Sequence, residues 1–226
     1  MALGEPDNAA RFASGELALD FVNSATGRSR ASRWEDSLTD AFATLTWLRQ
    51  REAVDEEGFR TLLRLAATDD AAAQAFMTDV TALRDTLSTV FRAAVSEDAP
   101  PEAALERLGG FFARAHGAER LVWGPKGVQV ARDTQGAGLF RALWPIVRSA
   151  EALLTSDRMI RVKRCSSSTC EWLFLDTSKN NSRRWCRMDV CGNREKGRRR
   201  LVRERVAEGV ADGASGRGDA PRRANG

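Results

Sequence analysis

The chain of 226 residues contains no tyrosine, one histidine and four cysteines. It lacks a glycine-rich loop of the kind that cradles phosphates, and no two carboxylates stand at a spacing typical of acid–base catalysis. The single histidine, His116, is far along the chain from every cysteine and falls on a predicted helix face. These absences predict a protein that is not an enzyme.

Long apolar runs are also missing. None reaches roughly 18 residues, the length that a membrane-spanning helix needs, so we expect no membrane segment. The first residues, MALGEPDNAARF, lack the basic start and apolar run of a secretory signal. We therefore expect a cytoplasmic protein whose cysteines stay reduced.

A length of 226 residues suits one medium-sized domain with a small additional module, and a hydrophobic content of 42% is enough for a core. Charge is distributed unevenly along this chain. Residues 1–157 hold 17 basic and 23 acidic side chains, a net charge of −6. Residues 158–205 hold 15 basic and 5 acidic side chains, a net charge of +10. A basic module joined to an acidic body is typical of proteins that bind polyanions, although an arginine-rich surface can also serve solubility alone.

All four cysteines fall within one short stretch, in two pairs with the same spacing. Four residues separate Cys165 from Cys170, four separate Cys186 from Cys191, and fifteen lie between the pairs. Four thiolates bind zinc tetrahedrally at about 2.3 Å, and two close pairs that fold back on each other can supply them. The stretch therefore predicts one structural zinc ion held by all four cysteines.

Three other uses of the cysteines compete with zinc. Two disulfides would require an oxidising compartment, for which the start of the chain gives no signal. An iron–sulfur cluster could use the same four thiolates. A catalytic thiol would need a partner base, and the only histidine lies far away in the sequence. Zinc is the favoured interpretation because the two pairs repeat one spacing.

The residues around the cysteines resemble the CGNR zinc finger. The stretch from Arg164 to Lys196 contains the sequence RRWC at 183–186 and the literal tetrapeptide CGNR at 191–194. The segment GELALDFVNS, residues 15–24, is similar to the opening of the ABATE domain. The resemblance implies a helical N-terminal domain, a C-terminal zinc finger and a role in stress-induced transcription regulation. It also implies that the N-terminal domain is a sensor or regulatory part, which a small-molecule effector would control.

Apolar residues recur at intervals of three and four over most of the first 154 residues, which predicts a mainly α-helical, multihelical N-terminal domain. The predicted helices span residues 38–51, 55–66, 71–95, 101–116 and 139–154. A Gly-Pro-Lys-Gly turn between two short β-rich runs predicts one β-hairpin at 120–133.

Local signals refine these helices. Ser37 or Thr39 is predicted to cap the first of them and Asp55 the second, because their side chains can accept hydrogen bonds from free first-turn amides. Phe42 is expected on the apolar side of the first helix, and Pro145 is expected to kink or restart the last.

The dense apolar run at 15–24 leaves helix and buried strand open, and we favour a short buried helix. Asp20 and Asn23 within it are interpreted as helix-end capping residues. In the cysteine module, the segment 158–163 predicts a strand that pairs with 172–175 into a β-ribbon, and a helix should begin after the second cysteine pair. Asp176 and Asn193 are predicted to brace the zinc site by hydrogen bonds, with direct contact to phosphate as the equal alternative for Asn193.

The domain organisation follows from these elements. We predict an ABATE-like helical domain over residues 1–156, a four-cysteine zinc finger with a β-ribbon and basic helix over 157–210, and a disordered tail over 211–226. No sequence pattern indicates an oligomeric state.

Basic side chains on the finger and its helix are the candidates for nucleic-acid contact. An α-helix fits the DNA major groove, and arginine forks suit phosphate, which makes double-stranded DNA the predicted partner and a transcription regulator the predicted function. The alternatives are an RNA-binding module, or a protein-interaction adaptor in which the helix serves as a docking surface. The predicted contact residues are Arg183, Arg184, Arg187, Arg194, Lys196, Arg198, Arg199, Arg200 and Arg203.

Overall fold

A computed structural model of the chain describes residues 14–25, 36–132 and 136–214, the last of these ranges by its backbone alone from 206 onward. Residues 1–13, 26–35, 133–135 and 215–226 lie outside the described residues. The disorder predicted from residue 211 is therefore addressed only over 211–214, which are helical.

Seven α-helices make up most of the described chain, in agreement with the predicted mainly helical fold. The short helix that the apolar run at 15–24 predicts is present and buried. The bounds of the helices are α1 Leu17–Asn23, α2 Ala41–Gln50, α3 Glu56–Thr68, α4 Asp70–Val95, α5 Glu102–Gly117, α6 Trp144–Leu154 and α7 Asn193–Ala214.

The long helix α4 lies at the centre of the helical body and packs against α1, α2, α3 and α5. Its apolar side is buried completely, with Leu83, Leu87 and Phe91 at 0% exposure. Burial of apolar side chains at this periodicity is the main source of stability for an amphipathic helix. Phe21 of the short helix α1 joins the same core.

One β-hairpin follows α5, as predicted. Strand β1, Glu119–Gly124, pairs antiparallel with β2, Gly127–Arg132. One face of the hairpin exposes four apolar side chains, between 54% and 84% of each: Leu121, Trp123, Val128 and Val130. A 3₁₀ turn at Gly138–Leu143 then leads into α6, where Pro145 occupies the first turn and so restarts the helix.

The cysteine module contains a short ribbon and a helix. Strand β3, Val162–Arg164, pairs antiparallel with β4, Leu173–Leu175. A π-helical turn at Met188–Gly192 leads directly into α7. By their contacts the residues form two compact units, Met1–Cys186 and Arg187–Gly226, so the ribbon belongs with the helical body. The domain boundary near residue 156 remains a prediction from sequence.

Three local expectations are wrong. The cap of α2 is Asp40, whose carboxylate accepts from the Ala43 amide at 2.7 Å, and not Ser37 or Thr39. Phe42, on the second position of that helix, is 66% exposed. Of the strand predicted over 158–163, residues 158–161 belong to a 3₁₀ turn, and the strand begins only at Val162. Asp55 does cap α3, accepting from Gly58 at 2.7 Å.

No helix among the described residues is long and apolar enough to cross a membrane.

Candidate metal centre and basic helix

The four cysteines meet at one point. The sulfur atoms of Cys165, Cys170, Cys186 and Cys191 all lie within 4.8 Å of one another, and no cysteine is more than 4% exposed. Cys170 Sγ and Cys186 Sγ are 3.8 Å apart, which is too far for a disulfide. Tetrahedral zinc with bonds of about 2.3 Å places its sulfur ligands about 3.8 Å apart. The donor set and its spacing therefore fit one zinc ion.

Backbone hydrogen bonds hold the first cysteine pair in a tight loop. The Cys165 amide donates to Trp172 O at 2.9 Å, which continues the β3–β4 ladder past the last paired strand residues. The Cys170 amide donates to Ser167 O at 3.1 Å, closing the turn between the two sulfurs. The amide of Cys186 points at Cys165 Sγ from 3.4 Å, so this backbone donor supports charge on a sulfur.

The close approach of the sulfur atoms shifts the pKa values of the thiols in opposite directions. Hydrogen bonds from Cys170 and Cys186 lower the pKa of Cys165, whereas proximity to Cys165 raises the pKa of Cys170 and of Cys186. Thiolates packed this closely repel one another unless a cation lies between them. All four positions are cysteine, which leaves no open coordination position for water, so the ion would be structural.

Asp176 organises the polar turn that follows β4. Its fully buried carboxylate accepts from Lys163 Nζ at 2.7 Å, from the Ser178 amide at 2.9 Å and from the Arg183 amide at 2.8 Å. Burial alone would raise the pKa of Asp176, but the Lys163 ammonium and the hydrogen bonds from Ser178 and Arg183 hold it well below the usual range. Asp176 thus fixes the backbone that leads from the ribbon to Cys186, and no described hydrogen bond joins it to a sulfur.

Two residues of the CGNR tetrapeptide have distinct local roles within the second unit. A Cβ at Gly192 would lie 2.5 Å from Met188 Sδ, so the glycine makes room for a thioether. Asn193 donates through Nδ2 to Asp189 O at 3.1 Å across the π-helical turn, which braces the turn that carries Cys191.

Several predicted phosphate-binding arginines already have protein partners. Arg183 donates to Trp185 O and Cys186 O and lies over the Phe174 ring, so it supports the cysteine loop. Another three form ion pairs with nearby carboxylates: Arg187 with Asp189 at 2.6 Å, Arg198 with Glu195 at 2.8 Å and Arg200 with Glu204 at 2.7 Å. Arg194 is exposed and engaged in a further interaction.

The remaining predicted cations are exposed and pair with no carboxylate among the described residues. Three of them, Lys196, Arg199 and Arg203, stand at positions i, i+3 and i+7 of α7. Residues at this spacing lie on one face of a helix. We call these three the basic stripe. The fourth exposed cation, Arg184, precedes the helix and lies near the Trp185 ring.

Helix α1 holds the β3–β4 ribbon in place, a role that sequence patterns did not predict. Asn23 does not cap a helix end: its Nδ2 donates to Leu173 O at 2.8 Å, and its Oδ1 accepts from the Leu173 amide at 3.0 Å. Leu175 N donates to Ser14 O at 2.7 Å, so the N-terminal segment pairs along β4. A Cβ on Gly15, whose φ is +88°, would lie 3.2 Å from Leu175 Cβ, so this approach needs glycine.

Replacing Asn23 by alanine is expected to lower the free energy of unfolding by about 2–4 kcal/mol. The change strands two buried backbone groups of Leu173, each of which costs about 1–3 kcal/mol without a partner. Urea unfolding in zinc-containing buffer measures the effect. Asn180→Ala, at an exposed turn position, is the control and should stay within about 0.5 kcal/mol of the unmodified protein. Equal stability of the two variants would contradict the bridging role of Asn23.

The single histidine belongs to a surface cluster on the helical body. His116 Nε2 lies 3.0 Å from the Glu151 carboxylate and Nδ1 lies 3.3 Å from Glu119. The hydrogen bond with Glu151, with a further contribution from Glu119, raises the pKa of His116. Its partners are therefore carboxylates, not a cysteine.

Comparison with known families gives two matches along the chain. The ABATE family model, described as "Putative stress-induced transcription regulator", matches residues 15–157. The CGNR zinc finger model matches residues 161–205. No curated protein matches the chain significantly.

Proposed function

The chain belongs to the ABATE family and carries a CGNR zinc finger, and from this premise we propose that it is a transcription regulator that binds double-stranded DNA through its basic helix. The protein would meet this DNA in the cytoplasm. Its proposed role is to regulate transcription and not to catalyse a reaction. The helical domain is the regulatory or sensor part.

The basic stripe is the observation that carries the proposal. Lys196, Arg199 and Arg203 extend about one and a half to two turns along a single helix face with no competing carboxylate among the described residues. Arginine presents a planar fork of donors to phosphate, and a helix of this diameter enters the major groove of B-DNA. Two neighbouring arginines, Arg198 and Arg200, are instead paired with glutamates, so less of their charge is available to a ligand.

Zinc has a structural part in this proposal. Cys191 lies two residues before the start of α7, and the turn that contains it is closed by the Cys191 and Gly192 amides donating to Arg187 O at 2.9 and 3.1 Å. An ion that binds Cys191 together with the other three sulfurs would fix the start of the basic helix. The DNA-binding surface would then form only when the metal is bound.

Binding to duplex DNA is expected to weaken steeply as salt is added. Each phosphate contact contributes a slope of about −0.9 in a plot of log affinity against log salt, so the three residues of the stripe alone predict a slope of roughly −2.7. Fluorescence anisotropy with a random-sequence duplex across a salt series measures it. A slope near zero would contradict DNA binding, and tighter binding to single-stranded RNA at every salt concentration would favour the RNA alternative.

A further inference from the structure

A cavity of about 800 Å³ lies in the helical body, within the size range of small-molecule sites. Its apolar lining includes Val54, Leu62, Trp144 and Pro145. Among the described residues, its lining shares no member with the cysteine cluster or with the basic stripe.

Three arginines from neighbouring elements also line the cavity. Arg132 ends strand β2, Arg141 lies in the 3₁₀ turn, and Arg148 is in the first turns of α6. Arg132 Nε and Arg148 Nη1 converge on the same carboxylate oxygen, Glu119 Oε1, at 3.1 and 2.5 Å. Arg141 has a partner as well. Each guanidinium group has five N–H donors, and a single Glu119 oxygen serves two of the three groups, so further donors remain for an anion.

Acidic side chains reach the cavity from a different element. Asp55 and Glu57 both come from the beginning of α3. The Asp55 carboxylate already accepts the Gly58 amide as the helix cap, at 2.7 Å. The arginines of β2, the 3₁₀ turn and α6 therefore form the positive part of the lining, and an anionic group would bind there.

Trp144 gives the cavity an aromatic wall. This side chain lines the cavity and is only 7% exposed. Its indole nitrogen is itself shielded from solvent and has no acceptor among the described residues. A ligand in the cavity would therefore contact the ring and not the N–H, and an apolar group packs well against such a ring.

We propose that this cavity binds a small organic acid, with its carboxylate on Arg141 and Arg148 and its apolar body against Trp144 and Leu62. This inference names a ligand class for the proposed sensor role of the helical domain, and the biological meaning of the binding rests on that proposed role. Ligand binding is measured on the full chain in the absence of DNA. Its result can therefore be interpreted even if the protein proves not to bind DNA.

The probe is 3-phenylpropionate, and 3-phenylpropionamide is its neutral match. Isothermal titration calorimetry should give at least about tenfold tighter binding of the acid, because only the acid forms charge-assisted hydrogen bonds with arginine. The indole N–H resonance that Trp144→Phe removes should shift on addition of the acid. Arg148→Gln should weaken binding of the acid about tenfold. Because this change also removes the ion pair of Arg148 with Glu119 on the hairpin, Arg141→Gln serves as a second variant and should weaken binding as well.

Arg60→Gln is the control variant. Arg60 is exposed on α3 and does not line the cavity, so its loss removes the same charge without removing a ligand contact. Binding in this variant should equal that of the unmodified protein. Equal affinity for acid and amide, no binding of the acid up to its solubility, or equal losses in Arg60→Gln and both cavity variants would overturn the proposal.

Discussion

Replacing Cys170 or Cys191 by serine is expected to lower the affinity for zinc about a hundredfold and to abolish duplex binding at limiting zinc. Structural zinc contributes roughly 10–16 kcal/mol to the folding of a finger, so one ligand of four accounts for about 3 kcal/mol. A hundredfold change corresponds to about 2.8 kcal/mol. Competition with a chromophoric chelator measures the zinc affinity, and anisotropy measures the duplex affinity.

The helical body should survive the loss of the metal, because its core contains Phe21, Leu83 and Phe91 and no cysteine. Far-ultraviolet circular dichroism and a cooperative thermal transition would show that it remains folded. Ser182→Ala, in the loop between the two cysteine pairs, is the matched control and should bind zinc normally. Serine variants that keep full zinc affinity would contradict the four-thiolate site.

Exchanging the three residues of the basic stripe for glutamine is expected to reduce duplex affinity by one to two orders of magnitude at low salt. Lys196, Arg199 and Arg203 pair with no carboxylate among the described residues, so their full charge is available to phosphate. The salt slope should become shallower by about 0.9 for each phosphate that the variant no longer neutralises, roughly 2.7 in total.

A matched control removes the same charge from ion-paired positions. The triple variant Arg187→Gln, Arg198→Gln, Arg200→Gln eliminates three arginines whose carboxylate partners lie within 2.8 Å. It should lose less affinity and retain most of the salt slope, since paired guanidinium groups bind fewer phosphates. Identical losses in the two triple variants would mean that net charge, and not the stripe, accounts for binding. Zinc content should be measured in both variants, because Glu195 is buried beside Arg198.

The cysteine cluster and the helices were predictable because their signals are local. Two cysteine pairs of equal spacing indicate a tetrahedral site without knowledge of the fold, and the apolar periodicity of 71–95 predicts a helix that the structure places at Asp70–Val95. The choice between neighbouring candidates for the same helix cap was harder to predict. Asp40 caps α2 although Ser37 and Thr39, equally capable of capping, stand beside it. Periodicity also misplaced Phe42, because a residue in the first turn can follow the pattern and still point outwards.

Features that depend on distant parts of the chain left no readable signal. Asn23 and Leu173 are separated by 150 positions in the sequence, so the hydrogen bonds that join α1 to the β3–β4 ribbon could not be predicted from either segment. The ion pairs of α7 are different, because Glu195 with Arg198 and Arg200 with Glu204 stand three and four residues apart. That spacing could have separated the paired arginines from the basic stripe in advance.

X-ray absorption at the zinc K-edge of the purified full-length protein tests the central claim most directly. The arrangement of Cys165, Cys170, Cys186 and Cys191 predicts one zinc ion per chain with four sulfur neighbours at about 2.3 Å. A first coordination shell that contains nitrogen or oxygen, or fewer than four sulfurs, would contradict it.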